Sequence, residues 1–256
     1  MPKKLSLWVI IIGIAAVIIN FSKSRELSPG IEGTGEMFDR IASVYDIGND
    51  ILSLGMHTEW KSCFLNDLSL ANNTNLLDLA TGTGDIAILA KRLFNVSEVI
   101  GLDPSVEMIA LARTKAKNAG FQEINFLHGD ARSLPFPDDS FARITMSFGI
   151  RNIDNRTLAL SEMKRVLKSG GFVGIMEFCP PESGVFGHII TFAVRYFLSP
   201  LASVFSSNVG EYEYLSRSIL EFPTDFENVL RDSGLIVTKV RDFLGGLVKV
   251  YVGTRN

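Results

Sequence analysis

The sequence predicts an α/β protein with a doubly wound sheet of about five strands, followed by a terminal hairpin that makes the last strand antiparallel. Short apolar runs alternate with segments of helical periodicity along most of the chain, as in repeated strand–helix–strand units. One of these runs leads into a glycine-rich turn at residues 81–84. Near the end, two runs typical of strands flank Gly245 and Gly246 and predict the hairpin.

The first predicted strand and turn lie in LLDLATGTGDIAILA, residues 76–90. An apolar run at 75–80 meets the turn, and a helical segment follows it. Gly82 and Gly84 can adopt positive φ angles and allow a ligand to approach the backbone closely. Together with Ala87 they match G-x-G-x-x-A, a pattern of nucleotide-binding sites that also fits dinucleotides. A nucleotide site is therefore expected at the end of the first strand.

Acidic residues around this turn favour a cationic ligand. Asp78 and Asp85 flank the turn, and both would repel a pyrophosphate, which binds at bare helix N-termini. S-adenosylmethionine (SAM) carries an ammonium and a sulfonium group and no phosphate. Asp85 fits a helix cap equally well, whereas Asp78 stands in an apolar strand, where a buried carboxylate needs a partner.

Two further acids extend this pattern. The second predicted strand, 98–102, ends in Asp103, which follows the glycines by about 20 residues, where a ribose-binding acid is expected. The third strand, 124–127, is followed by Asp130, which could accept a hydrogen bond from an adenine amino group. One acid after each of three successive strands favours SAM over a nicotinamide dinucleotide.

Composition narrows the function classes. The 256 residues suffice for one large α/β domain or two small ones. A net charge of −3 lacks the basic excess typical of nucleic-acid-binding proteins, so no nucleic acid partner is expected. Cys63 and Cys179 are far apart in sequence, and the three histidines form no cluster, so neither a metal site nor a disulfide framework is predicted.

The N-terminal segment is expected to lie outside the enzyme-like domain. Residues 7–19 are continuously apolar with lysines on both sides, which fits a membrane anchor or a signal peptide. We favour an uncleaved anchor over residues 1–22, a linker over 23–36 and one domain over 37–256. Residues 37–60 predict helix on both sides of Gly48, as either a lid over the ligand or a plain packing helix, with Tyr45 as its candidate site residue.

The second half of the chain holds the other site candidates. The fourth predicted strand, 142–148, leads directly to Arg151 and Asn152, at the sheet edge where ligands bind. A surface salt bridge and a helix cap are the ordinary alternatives for these two residues. A helix at 155–167, closed by residues 168–171, and a strand at 172–178 follow. Residues 185–205 are strongly apolar and fit a tunnel for an apolar substrate, a membrane contact or a dimer contact equally well.

From about residue 37 to 253 the chain resembles the ubiquinone/menaquinone biosynthesis C-methyltransferases, class I SAM-dependent enzymes with a Rossmann-like sheet. The resemblance depends on FDRIASVYDIGNDILSLGMHTEWK, LDLATGTGD, GLDPSVEM, GDARSLPFPDDSFARITMSFGIRN and YEYLSRSILEFP. Three residues depart from the family pattern: Gly48 replaces a larger residue, Ser169 a proline and Leu244 a threonine.

The resemblance implies methyl transfer from SAM to a ring carbon of a polyprenylated quinol, either 2-polyprenyl-6-methoxy-1,4-benzoquinol or demethylmenaquinol. It points to the pair Arg151 and Asn152 for handling the proton of the acceptor. We expect Arg151 to stabilise a developing phenolate, Asn152 to orient the hydroxyl or a water, and Tyr45 or Asp46 to relay the proton. It also implies a SAM-binding set with Asp78 and Gly82 at the methionyl end, Asp103 at the ribose, Asp130 and Ala131 at the adenine, and Ser147 near the sulfonium. Thr81 and Gly84 of the same turn are further cofactor-binding candidates.

Such a substrate implies an association with membranes, at the mitochondrial inner membrane, a plastid or a bacterial cytoplasmic membrane. A homodimer or a quinone-synthesis complex is compatible with this setting. Three alternatives stay open at this point: a non-catalytic subunit with the same fold, a SAM methyltransferase for another lipid, and a dinucleotide oxidoreductase.

Overall fold

The computed structural model describes residues 35, 36, 38–40, 42, 46, 53, 55–71, 73–180 and 217–256. The strands are β1 (Asn75–Leu79), β2 (Glu98–Asp103), β3 (Asn125–His128), β4 (Phe141–Ser147), β5 (Leu167–Phe178), β6 (Ile236–Phe243) and β7 (Val248–Thr254). The helices are α1 (His57–Asp67), α2 (Asp85–Phe94), α3 (Val106–Asn118), α4 (Arg156–Val166) and α5 (Phe226–Asp232), with a 3₁₀ turn at Ile150–Asn152.

The strands form one sheet in the order β3-β2-β1-β4-β5-β7-β6. β1 to β5 are mutually parallel, whereas β7 lies antiparallel between β5 and β6. The predicted doubly wound sheet with an antiparallel last strand is therefore confirmed. The strand order reverses between β1 and β4, and in sheets of this kind ligands bind at the carboxyl edge beside such a reversal.

Helices cover both faces of the sheet. On one face α4 and α5 bury Leu160, Met163 and Phe226 against the strands. On the other face α1, α2 and α3 form a second core, in which Phe64 of α1 and Phe126 of β3 are almost fully buried. The two cores fix the sheet between them, so its carboxyl edge is a rigid platform for a site.

The helices around this edge begin where the sequence supplies starting signals. Ser105 caps α3 by accepting a hydrogen bond from the N–H of Met108, and Asn155 caps α4 by accepting one from Leu158. α2 begins after Gly84, which has a φ of 83°. α4 ends at Val166, one residue before the predicted end, and β5 begins at Leu167 instead of 172, because Leu167 already pairs with Phe141 of β4. Residues 168–171 thus belong to an irregular first part of β5.

Several predicted segments fall outside the described residues. These are the anchor at 1–22, most of the linker at 23–36, Tyr45, and the apolar stretch at 185–205. The described residues between 35 and 53 are helical, including Gly35 and Glu36, which the prediction had given to the linker. None of the helices in the described part of the chain has the length and apolar character needed to cross a membrane.

Close packing of α1 on β5 gives a test of the fold. A methyl group on Gly174 would lie 2.6 Å from Cε2 of Phe64 and 2.9 Å from Leu68. We expect Gly174→Ala to lower the free energy of unfolding by about 1–3 kcal/mol through overpacking, measured by urea titration. Gly253→Ala in β7 is the matched control, because its nearest contacts would be ordinary ones at 3.5 Å. Equal losses from the two substitutions would contradict the packing argument.

Candidate functional site

A cavity of about 410 Å³ opens at the carboxyl ends of β1, β2 and β4. Its size is within the range of small-molecule sites, roughly 300–1,000 Å³. Of the predicted site residues, the structure brings Gly82, Asp103, Asp130, Ala131, Ser147 and Asn152 together on its wall. Its other described lining residues include Gly35, Glu36, Phe38 and Asp39 from the N-terminal segment.

The glycine-rich turn is held by two buried carboxylates. Asp78 accepts hydrogen bonds from the hydroxyls of Thr81, at 2.6 Å, and Thr145, at 2.8 Å. Asp103 accepts one from the N–H of Gly82, at 2.8 Å, and another from the N–H of Ser105. The carboxylate of Asp103 therefore ties the first turn to the end of β2, and both acids find the partners that burial requires.

Asp78, Thr81 and Gly84 are not on the cavity wall. Asp78 is only 1% exposed. At Gly84 a Cβ would lie 2.9 Å from the ring of Phe126, and the residue has a positive φ. These three residues support the turn on the side away from the cavity, and their assignment to SAM binding stays a prediction.

Burial raises the pKa of both acids. The pKa of Asp78 rises to about 7, although hydrogen bonds from Thr81 and Thr145 act in the opposite direction and the charge of Asp103 adds to the rise. The pKa of Asp103 rises to about 6 for the same main reason, against hydrogen bonds from the N–H groups of Ser105 and Gly82. A cationic ligand near these carboxylates would favour their charged forms.

Asp130 and Ala131 lie further along the wall, beyond β3. The carboxylate of Asp130 pairs with Arg132 at 2.6 Å, with both side chains more than two-fifths exposed. This pairing lowers the pKa of Asp130, so it is an anion at neutral pH. Because the pair is open to solvent, it contributes little to stability, and Asp130 is accessible to a ligand.

For Asp85 the sequence left two roles open, a ligand-facing acid or a helix cap. In the structure Asp85 lies on neither described cavity wall and does not cap α2, which begins after Gly84. It forms ion pairs with Lys61 of α1 and Lys115 of α3. Lys115 also binds Asp46, whose second oxygen accepts from Thr83. This network attaches the N-terminal segment to the outer side of the turn. Asp46 lies on the wall of neither described cavity, so its proton-relay role stays a prediction.

The ends of β1 and β4 have strained backbone. Ala80, with a φ of 49°, and Phe148, with a φ of 59°, are in the left-handed region that residues with a Cβ rarely adopt. Both line the cavity. Between them on the wall, the buried Oγ of Ser147 has no hydrogen-bond partner among the described residues. Strain and unsatisfied polar atoms concentrate at functional sites, and a bound ligand can supply the missing partner.

Arg151 and Asn152 are neighbours in the 3₁₀ turn and border two different cavities. Asn152 lies on the wall of the first cavity, whereas Arg151 borders a second one of about 320 Å³, with Arg156, Arg217, Ser218 and Glu221. The ordinary alternatives from the sequence are wrong for both. Arg151 forms a buried ion pair with Glu177, with side chains 7% and 0% exposed, and the cap of α4 is Asn155.

Three features of the site escaped the sequence reasoning. Glu177 has no local signal, because its partner Arg151 lies on another strand end. The left-handed Ala80 and Phe148 have none either, since nothing in their residue types requires this conformation. The acids of the N-terminal segment could have been considered, because Asp39 accepts hydrogen bonds from Ser105 and Glu107 at the start of α3.

The buried Asp78 predicts a specific pH dependence of stability. Its folded pKa of about 7 lies above its ordinary value of 3.8, so the folded state holds the proton more tightly. The resulting stabilisation is fully present below about pH 4 and is lost as the pH rises through about 7. We expect Asp78→Asn to make the decline of unfolding free energy over this range shallower, as measured by urea unfolding at a series of pH values. An unchanged slope would contradict the raised pKa.

Solved structures of other proteins share the fold of this chain. A SAM-dependent methyltransferase from Aquifex aeolicus has a TM-score of 0.57 and 18% identity, over 77% of this chain and 89% of that chain. Haemonchus contortus phosphoethanolamine N-methyltransferase 2, in complex with S-adenosyl-L-methionine, has a TM-score of 0.58 and 16% identity, over 77% and 52%. At such identities these likenesses show the fold alone.

Sequence comparisons go further. A demethylmenaquinone methyltransferase of Staphylococcus aureus (strain JH9) is 34% identical over 225 residues, which span 87% of this chain and 92% of the relative. The family profile described as the ubiE/COQ5 methyltransferase family matches residues 28–255. The chain therefore belongs to the ubiE/COQ5 methyltransferase family and is a SAM-dependent methyltransferase.

Proposed function

We propose that this enzyme methylates a ring carbon of a polyprenylated quinol, with demethylmenaquinol as the first candidate and 2-polyprenyl-6-methoxy-1,4-benzoquinol as the second. The observation that carries the proposal is that Asn152 and Arg151, neighbours in one turn, border two different cavities. One cavity suits the methyl donor and the other suits an acceptor whose reactive oxygen needs a cation. The name of the S. aureus relative favours demethylmenaquinol.

The first cavity has the chemistry that SAM requires. Asp103 and Asp130 offer carboxylates to its ribose and adenine, and the buried Oγ of Ser147 has a free hydrogen-bonding capacity within the described part of the protein. Gly82 and Ala131 leave room for a close approach to the backbone. When bound, SAM supplies a methyl group made electrophilic by its sulfonium.

The acceptor must be a reduced quinol, because a quinone ring is too electron-poor to attack a methyl group. Its ring carbon becomes nucleophilic as the neighbouring hydroxyl loses or shares its proton. The carbon–methyl bond forms as the sulfonium–methyl bond breaks, which leaves S-adenosylhomocysteine, and the methylated carbon then loses its own proton to solvent as the aromatic ring is restored. A guanidinium offers N–H donors and no acceptor, so the role of Arg151 is to stabilise the developing phenolate rather than to remove the proton. Asn152, on the donor side of the turn, orients the hydroxyl or a water molecule. Much of the rate of methyl transfer then depends on how the ring carbon is positioned relative to the methyl group.

We also propose that the enzyme works at a membrane surface, since a polyprenyl tail is held in a bilayer. The predicted anchor at 1–22 and the apolar residues 185–205 are the candidate membrane and tail contacts. The setting follows from the substrate: a bacterial cytoplasmic membrane, the mitochondrial inner membrane or a plastid. A homodimer or a quinone-synthesis complex is compatible with it.

Methyl transfer from labelled SAM by the full chain tests the proposed reaction. The acceptors are demethylmenaquinol and the methoxy-benzoquinol with tails of equal length, each kept reduced. We expect label in the naphthoquinol ring and much less in the benzoquinol.

The oxidised quinones are the controls and should receive no label. Label in the benzoquinol alone would overturn the preferred substrate, while label in neither quinol, with SAM binding intact, would overturn the proposed acceptor class.

Asp103 provides a separate test of donor binding. We expect Asp103→Asn to weaken SAM binding by about 1.5–3 kcal/mol in calorimetric titrations, the scale for hydrogen bonds to a charged group. Because the pKa of Asp103 lies near 6, wild-type affinity should rise as the pH increases through 6, and the variant should lose part of this dependence.

Asp130→Asn is the comparison variant, with a smaller expected loss, since its carboxylate is exposed and shared with Arg132. Wild-type affinity and an unchanged pH profile in Asp103→Asn would remove Asp103 from the site.

A further inference from the structure

Glu177, the second-to-last residue of β5, has the most enclosed carboxylate at the site. Its side chain is 0% exposed. One oxygen, Oε1, accepts hydrogen bonds from Nη1 of Arg151, at 2.6 Å, and from the N–H of Phe178, at 2.7 Å. The other, Oε2, accepts from the backbone N–H of Arg151 at 3.2 Å. A single carboxylate therefore holds both the main chain and the guanidinium of Arg151.

We propose that Glu177 is a positioning residue, which fixes the guanidinium of Arg151 toward the second cavity so that it meets the oxygen of the methyl acceptor. The catalytic consequence rests on the proposed function. The positioning itself can be tested without turnover.

Stability alone is a poor reason for this ion pair. Moving two charges out of water often costs more free energy than their mutual attraction contributes. Proteins with apolar residues of similar size at such positions are commonly as stable. The pair also occupies the ligand edge of the sheet, because Ser147 at the end of β4 is in register with Met176 of β5. Glu177 therefore lies beside the 3₁₀ turn that contains Arg151.

The remaining contacts leave one edge of the guanidinium available. Nη1 also donates to the carbonyl of Phe148 at 3.0 Å, and Nε donates to Oγ of Ser218 at 3.3 Å. The group lies over the ring of Phe178, 5.6 Å from its centroid. Nη2 makes no hydrogen bond to the described residues, and Arg151 borders the second cavity. The geometry presents Nη2 as the donor for an acceptor oxygen.

Glu177 acts through Arg151 and is not itself a proton acceptor. Its oxygens already receive three N–H groups, and its side chain has no exposed surface through which a substrate oxygen could reach it.

A mutational cycle on the full chain tests the consequence. Displacing a guanidinium by about 1 Å can reduce the rate by about 100-fold, so we expect Glu177→Gln to lower kcat by roughly this factor, with KM changed far less and SAM affinity unchanged. In an Arg151→Ala background, Glu177→Gln should lower kcat no further, because the two residues act as one unit. Independent, multiplying losses would overturn the proposal.

Asp67→Asn is the matched control. The carboxylate of Asp67 is 3% exposed and pairs with Arg241 and Lys239, and Asp67 is on the wall of neither described cavity. This variant should lose stability in thermal unfolding while kcat stays at the wild-type value. A fall in kcat equal to that of Glu177→Gln would assign both effects to general destabilisation.

A readout that needs no turnover is the ¹⁵N–¹H resonance of the Arg151 Nη1–H that donates to Glu177, assigned by its absence in Arg151→Lys. In the wild type this N–H should exchange slowly with water, and in Glu177→Gln the resonance should broaden or move to the position of exposed arginines. Its persistence in Glu177→Gln would overturn the proposal. If Glu177→Gln does not fold, Glu177→Asp is the replacement variant. It retains the charge with a shorter reach and should still shift this resonance from its wild-type position.

The two measurements separate this proposal from the proposed function. A shifted resonance in an enzyme that methylates neither quinol would leave the positioning of Arg151 in place and refute only the acceptor class. Full activity of Arg151→Ala on a quinol would refute both the role of Arg151 and that of Glu177.

Discussion

The site depends on the burial of Asp78 and Asp103 under the first turn of the sheet. Two carboxylates close together in a low-dielectric interior are costly unless donors surround them. The turn provides those donors, through the hydroxyl of Thr81 and the N–H of Gly82, and β4 adds the hydroxyl of Thr145. The turn is therefore shaped as much by the acids beneath it as by its glycines.

This arrangement explains why the cavity suits a cation. The hydrogen bonds hold the acids in place, but burial still raises their pKa values, to about 7 and about 6, and neither carboxylate forms an ion pair with a residue in the described part of the chain. Asp103 lies on the cavity wall, whereas Asp78 lies behind it and holds the turn through the hydroxyl of Thr81. A sulfonium or ammonium group bound in the cavity would supply a positive charge near these carboxylates.

The sequence predicted the sheet well, because strand periodicity, the hairpin glycines and the spacing of the acids are local signals. It also placed Gly82, Asp103, Asp130 and Ser147 at the right edge of the sheet. Asp78, Thr81 and Gly84, which it assigned to the SAM site, lie behind the cavity wall, and their assignment stays a prediction. Glu177 was beyond its reach, because 26 residues separate it from Arg151 and only the β4–β5 register brings them together.

Several features that violate local rules lie along one edge of the sheet. The left-handed Ala80 and Phe148, the unsatisfied Ser147 and the buried Arg151–Glu177 pair are each costly on their own, and they occur at the ends of three adjacent strands. Two well-packed cores on either face offset these costs. Because these four features border the two cavities, a role in ligand binding explains them together. The ion pair then has the same explanation as the strain: it holds a functional group where no local preference would place it.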